Sequence, residues 1–148
     1  MSLTLAQSLA NRATIYQFWL KATGKPSAAA GLTAQAQGES SFNPAAIGDH
    51  DTAFGLQQWH GARAAAIKAG TGIDLTKLPP LADQLKAALW ELKGPEARAW
   101  RAILAAATPY DAGYAACRFW ERPASALDYA KRGHFAEQIA ADFRANPV

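Results

Sequence analysis

The chain has 148 residues and a single valine, which is its last residue. Isoleucine and threonine are scattered, while alanine dominates the apolar set. A sheet needs β-branched side chains on its pleated faces, and alanine is the best helix former. The chain is therefore expected to be mainly α. Half of its residues are apolar and 18% are charged, a globular composition with enough apolar material for a core. Its length fits one domain, residues 1–148, and no linker, repeat or low-complexity run divides it.

Apolar spacing and helix stop signals mark out the elements. Leu5, Leu9, Ile15, Phe18 and Trp19 recur at helical spacing, and Gly24 follows as a stop, predicting a helix over residues 4–23. Ser27 is read as the cap of a second helix reaching Glu39, which Asn43-Pro44 keeps from continuing. Residues 44–52 read as loop, with a short hairpin around Gly48-Asp49, and residues 53–59 as a strand or extended segment. Further helices are expected over residues 62–69, 81–92, 96–107, 108–120 and 127–144. Of these, 81–92 carries the clearest apolar stripe, Leu81, Leu85, Ala88, Leu89 and Leu92. A loop with Thr71-Gly72 and Pro79-Pro80 turns separates the third helix from the fourth, and Arg122-Pro123 breaks the chain before the last.

Composition narrows the function classes. Net charge is +3, but the basic residues form no block, so no nucleic-acid partner is expected; a mildly basic surface suits an anionic polymer such as a bacterial cell wall. The single cysteine, Cys117, admits no intrachain disulfide and reads as a core thiol rather than a nucleophile. The N-terminal stretch lacks the basic and unbroken apolar regions of a signal peptide. No segment approaches the ~20 apolar residues of a membrane span, so no membrane insertion is expected.

The stretch from Gly38 to His60 carries the candidate chemistry. Ala28, Leu32, Gln35 and Glu39 fall on one stripe of the second helix, which points Glu39 toward the same interior as Leu32. Burial and the negative end of the helix dipole both disfavour its anion. A carboxyl that keeps its proton near neutral pH is what a general acid requires. The alternative is a solvated surface charge at a helix end. Gly38 removes a side chain beside Glu39, so another group can approach closely. Asp49 and Asp51 are candidate second carboxylates, or else a polar turn. Asp-His-Asp offers too few ligands for a zinc site, and neither a metal nor another cofactor is expected. Gln57 and Gln58 offer amides that suit N-acetyl and hydroxyl groups, and Trp59 offers either a face for a sugar ring or core packing. Trp90, Trp100, Phe119 and Trp120 read as core, and Glu121 as cleft wall or as part of a helix-end ion pair with Arg122.

Glu39-Ser40-Ser41-Phe42-Asn43-Pro44, followed by Gly55-Leu56-Gln57-Gln58, resembles the Glu-Ser-x-Phe-x-Pro … Gly-Leu-x-Gln signature of goose-type lysozymes and soluble lytic transglycosylases. The longer pattern is closer to the phage tail lysozyme family. Gly55 to Arg63 reads as its Gly-Leu-x-Gln-Trp-x-Gly-x-Arg stretch, and Leu81 to Leu85, Leu89 to Leu92 and Phe119 to Pro123 extend the likeness. It covers residues from about 10 to about 133. The chain departs from the family in the run before Glu39, where Thr33-Ala34-Gln35-Ala36-Gln37-Gly38 replaces bulkier apolar residues.

The resemblance implies a lysozyme-like helical domain with a small extended or hairpin element beside its active-site cleft. It implies cleavage of peptidoglycan between N-acetylmuramic acid and N-acetylglucosamine, with Glu39 as general acid. On that reading Asp49 or Asp51 is the second catalytic group. Gln57, Gln58, Trp59 and Glu121 are the substrate binders, with Gln58 preferred over Gln57 because it aligns with the motif glutamine. Two alternatives accompany it: a lytic transglycosylase forming 1,6-anhydro products, and a non-catalytic glycan-binding or virion structural module. A phage origin, with delivery by tail or lysis proteins, fits the expected lack of a signal peptide.

Overall fold

The computed structural model describes residues 2–122 and 125–148. Seven α-helices, a 3-10 turn, a π segment and one small hairpin make up the regular structure of these residues. Helix α1 (Leu5–Thr23) opens with Thr4 and Gln7 satisfying each other's backbone N–H groups, and closes on Gly24. Its apolar stripe is not buried throughout. Leu5 and Leu9 are exposed, and the helix enters the core only from Ile15 onward, through Tyr16 and Trp19.

Helix α2 (Pro26–Ser40) is the centre of the fold, packed against α1, α6 (Pro109–Ala115) and α7 (Ala126–Ala145). It begins two residues earlier than Ser27 capping would allow. Lys25 occupies the cap position and Pro26 the first helical position, where a missing N–H costs nothing. All residues from Ala28 to Ala36 are buried, so the helix has no solvent face over that run. Alanine and glycine make this possible. A Cβ on Gly31 would lie 2.6 Å from Ala112 of α6, so only glycine permits that approach.

After α2, Ser41 and Phe42 both adopt left-handed backbone angles, which turns the chain sharply out of the helix. The expected hairpin forms between β1 (Ile47–Gly48) and β2 (Ala53–Phe54), paired antiparallel, and an isolated bridge joins Phe54 to Trp59. Helix α3 (Gly61–Thr71) follows, then a 3-10 turn at Leu75–Lys77 inside the expected loop. Helix α4 (Leu81–Lys93) matches its apolar stripe, and α5 (Ala97–Ala105) ends two residues before the expected 107.

The helix expected over 108–120 is two pieces. Thr108 caps α6 as its sequence suggests, but from Ala116 to Glu121 the chain widens into a π-helix that Arg122 closes in the left-handed region. A π segment inside a helix commonly marks a functional position. Pro123, the other half of the expected break, lies outside the described residues. The buried side chains form one continuous cluster containing Trp19, Trp59 and Trp120. Trp90, Trp100 and Phe119 pack against it from its margin. Among the described residues no helix is long and apolar enough to cross a membrane.

Candidate active site

A cavity of about 390 Å³ opens between the end of α2, the hairpin, the start of α3 and the π segment. Glu39, Glu121, Asp49 and Arg63 line it, with Ala53, Gln57, Gln58 and His60. The backbone around it is held in uncommon conformations. Ser41, Phe42, Asp49, His50, Asp51 and Gln58 all have positive φ without being glycine. Such residues persist only where the surroundings over-determine them, and they concentrate at functional sites.

Glu39 sits in the last turn of α2 with its side chain 13% exposed. One turn earlier, Gln35 donates from Nε2 to Glu39 Oε1 (3.1 Å) and to Glu121 Oε2 (3.0 Å). Arg132 of α7 completes the cluster. It donates from Nε to Gln35 Oε1 (3.2 Å) and from Nη2 to Glu121 Oε2 (3.1 Å), and Nη2 lies 3.9 Å from Glu39 Oε1. Gly38 is what lets that guanidinium in, because a Cβ there would fall on Arg132 itself. The Cys117 thiol donates to Glu121 Oε2 (3.4 Å).

The two carboxyl groups are driven apart in acidity. Glu39 is pushed up to about 9, first by burial and then by the hydrogen bond to and the negative charge of Glu121, with Arg132 and Arg63 opposing. Burial alone would raise Glu121 as well. Hydrogen bonds from Glu39 and Gln35, the Arg132 charge and the Cys117 thiol outweigh that and hold it below the usual range. At neutral pH the pair therefore carries one proton, on Glu39, with Glu121 ionised beside it. Burial and the Glu121 charge push the Cys117 thiol up to about 12, so it stays protonated and acts as a donor.

A second buried cluster reaches the cavity through Arg63. Glu91 of α4 accepts the indole N–H of Trp59 (3.1 Å) and of Trp120 (2.8 Å) on Oε1, and Arg63 grips the same carboxylate through Nε (2.8 Å) and Nη2 (2.6 Å). This corrects the expectation for Trp59. Its ring has no exposed surface to offer a sugar; its apolar body fills the core and its N–H anchors Glu91.

The two glutamines differ in how their amides are engaged. Gln58 borders the cavity, but its amide Nε2 is engaged by the carbonyls of Ala46 and Gly55, so it staples the hairpin. Gln57 is 5% exposed, also borders the cavity, and neither of its amide atoms has a partner among the described residues. Asp49 is a cavity residue whose side chain is 69% exposed, paired with His60 Nε2 at 3.1 Å. Asp51 is exposed and is not among the described residues that line the cavity. Glu121 faces the cavity and pairs with Arg132, while the neighbouring Arg122 pairs with Glu96 (2.8 Å), so the cleft-wall position holds and the expected Glu121–Arg122 ion pair does not form among the described residues. Among the described residues no three acidic, histidine or cysteine side chains are grouped to hold a metal ion.

A family model described as phage tail lysozyme matches residues 10–143, a span that contains both buried clusters and every cavity residue. The chain belongs to the phage tail lysozyme family. Comparison with curated proteins gave no match. Membership makes the protein a lysozyme-like enzyme of glycosidase type acting on peptidoglycan. In this phage tail lysozyme the motif stretch Gln-Trp-x-Gly-x-Arg gains a physical reading, since Trp59 and Arg63 meet on one carboxylate from α4. Gln35, Arg63, Glu91 and Arg132 are the members of the site to which sequence reasoning assigned no role. Gln35, Arg63 and Glu91 stood inside recognised patterns. Arg132 lies 97 residues from Gln35 in the chain and gave no local signal.

Proposed function

We propose that the protein is a muramidase that cleaves the bond between N-acetylmuramic acid and N-acetylglucosamine in peptidoglycan, with Glu39 as general acid. The observation that carries this reading is the buried Glu39 carboxyl at the cavity wall beside Glu121, where burial and the Glu121 charge favour its protonated form. Glycosidic cleavage proceeds through an oxocarbenium-like state, and the leaving oxygen must receive a proton as the bond breaks. Glu39 delivers it and becomes a carboxylate, which Arg132 and Arg63 stabilise by charge. Glu121 hydrogen-bonds the acid directly. Its role is to keep the proton on Glu39 rather than to activate the nucleophile.

The second group is Asp49, which enters the cavity from the hairpin. In an inverting hydrolase a carboxylate about 6.5–9.5 Å from the acid takes a proton from water as the water attacks the anomeric carbon. A second reading draws on the exposure of Asp49 and its pairing with His60. A water-activating role for such a carboxylate is less sheltered than that of Glu39. If it is absent, the 6-hydroxyl of the muramic acid attacks its own anomeric carbon, and its proton returns to the Glu39 carboxylate. The products are then 1,6-anhydro sugars.

Mass spectrometry of digested, purified peptidoglycan tests both. Muramidase action gives muropeptides with a free reducing end; transglycosylation gives products lighter by one water. Intact peptidoglycan after prolonged incubation would defeat the enzymatic reading in either form and favour a glycan-binding or virion structural module. Carriage in a phage particle, with cell-wall access during infection, completes the proposal.

A further inference from the structure

We infer that Arg63 is a specificity-determining residue: its free guanidinium edge takes an oxygen of the lactyl-peptide substituent that distinguishes N-acetylmuramic acid from N-acetylglucosamine. The inference rests on the peptidoglycan-cleaving reading above and names the part of the substrate that sets its register. Arg63 leaves the first turn of α3, three residues after His60. Its Nε and Nη2 are both committed to Glu91. Glu91 is fixed in turn by two indole N–H groups in the core. A guanidinium is a rigid planar fork, so fixing one edge fixes the direction of the other. Nη1 has no partner among the described residues, and the side chain stays 28% exposed where it borders the cavity. The result is a donor held on a fixed mount at the edge of the cavity.

The chemistry of the mount selects the ligand. Glu91 offsets the Arg63 charge, so the free edge suits a carbonyl oxygen as well as a carboxylate. The cavity otherwise presents the ionised Glu121 and the acidic Asp49, which repel anionic oxygens. Among the described lining residues Arg63 is the one lysine or arginine. Hydroxyl and acetamido groups occur on both sugars of the glycan and cannot tell them apart. The lactyl ether and its peptide belong to one sugar and are rich in carbonyl and carboxylate oxygens. A fixed donor that engages this substituent decides which sugar lies on which side of Glu39.

The test uses the full chain, soluble un-cross-linked peptidoglycan strands as substrate, and the β-1,4-linked hexamer of N-acetylglucosamine as a competitive inhibitor. Arg63→Gln removes the donor but strands a buried carboxylate. The double variant Arg63→Gln/Glu91→Gln removes both charges together and serves as the folded control, checked by its melting curve. The expected result in both is a rise of about tenfold or more in KM for peptidoglycan, the loss of one charge-assisted hydrogen bond. The hexamer inhibition constant stays at the parent value. An unchanged KM, or a KM and inhibition constant that rise together, overturns the inference while the muramidase reading stands. A parent that releases no fragments from peptidoglycan defeats that reading first.

Discussion

Replacing Glu39 by Gln should make the protein more stable, and by an amount that grows with pH. Glutamine keeps the local bonds: its Oε1 accepts from Gln35, and its Nε2 replaces the Glu39 O–H as donor to Glu121. What it removes is the titration. The folded chain holds the Glu39 proton up to about pH 9, whereas an ordinary glutamate releases it near 4.5. Between those values the folded state binds one more proton than the unfolded state, so stability falls as pH rises. The contribution of this group is fully present below pH 4.5 and fully lost above about 9. At pH 7, about 2.5 pH units above the ordinary value, the penalty is about 3 kcal/mol. The variant escapes it. For a protein of this size that corresponds to a melting temperature higher by roughly 6–12 °C at pH 7, with little difference from the parent near pH 4.5. Calorimetry or circular-dichroism melts of both proteins at several pH values read this directly. Equal differences in melting temperature at pH 5 and pH 8 would refute the reasoning, because they would mean that Glu39 ionises normally in the folded protein.

The same network makes further predictions. Glu121→Gln removes the charge and the acceptor that raise Glu39, so the alkaline limb of kcat/KM, expected near pH 9 in the parent, should move to lower pH; a limb that stays in place counts against the carboxyl pair. Gly38→Ala places a methyl group where the Arg132 guanidinium lies, and should cost about 1–3 kcal/mol in urea unfolding together with most of the activity. Full activity in that variant would mean that Arg132 does not support the acid. Asp49→Asn should lower hydrolysis by about 100-fold or more if Asp49 activates water, while Asp51→Asn leaves it unchanged. Equal effects of the two substitutions on peptidoglycan digestion would show that the hairpin acts through its backbone.

The elements most legible in the sequence were those with one wet and one dry face. The Leu81, Leu85, Ala88, Leu89 and Leu92 stripe located α4 to within a residue at its C-terminal end. Helix α2 was legible as a helix but not as a centre, because burial on all sides from Ala28 to Ala36 leaves no periodic contrast to read. The stripe through Leu32, Gln35 and Glu39 nonetheless pointed the acid inward, where it lies. Its partners came from elsewhere in the chain. Glu121 depends on the π segment to face the cavity, and no local pattern announces a widened helix. Arg132 enters only because Gly38 leaves room, a complementarity between residues of two distant helices. Trp59 shows the limit from the other side. A tryptophan beside two glutamines suits a sugar site as well as a core, and only the position of the Glu91 carboxylate decides between them.

The central claim is that one protonated carboxyl on Glu39 breaks the glycan. Release of soluble fragments from purified peptidoglycan, measured for the parent and for Glu39→Gln at equal concentration near pH 6, tests it most directly. The account predicts a variant that melts no lower than the parent and cleaves at least about 100-fold more slowly, the loss of a general acid. A folded variant that releases fragments at the parent's rate would contradict it.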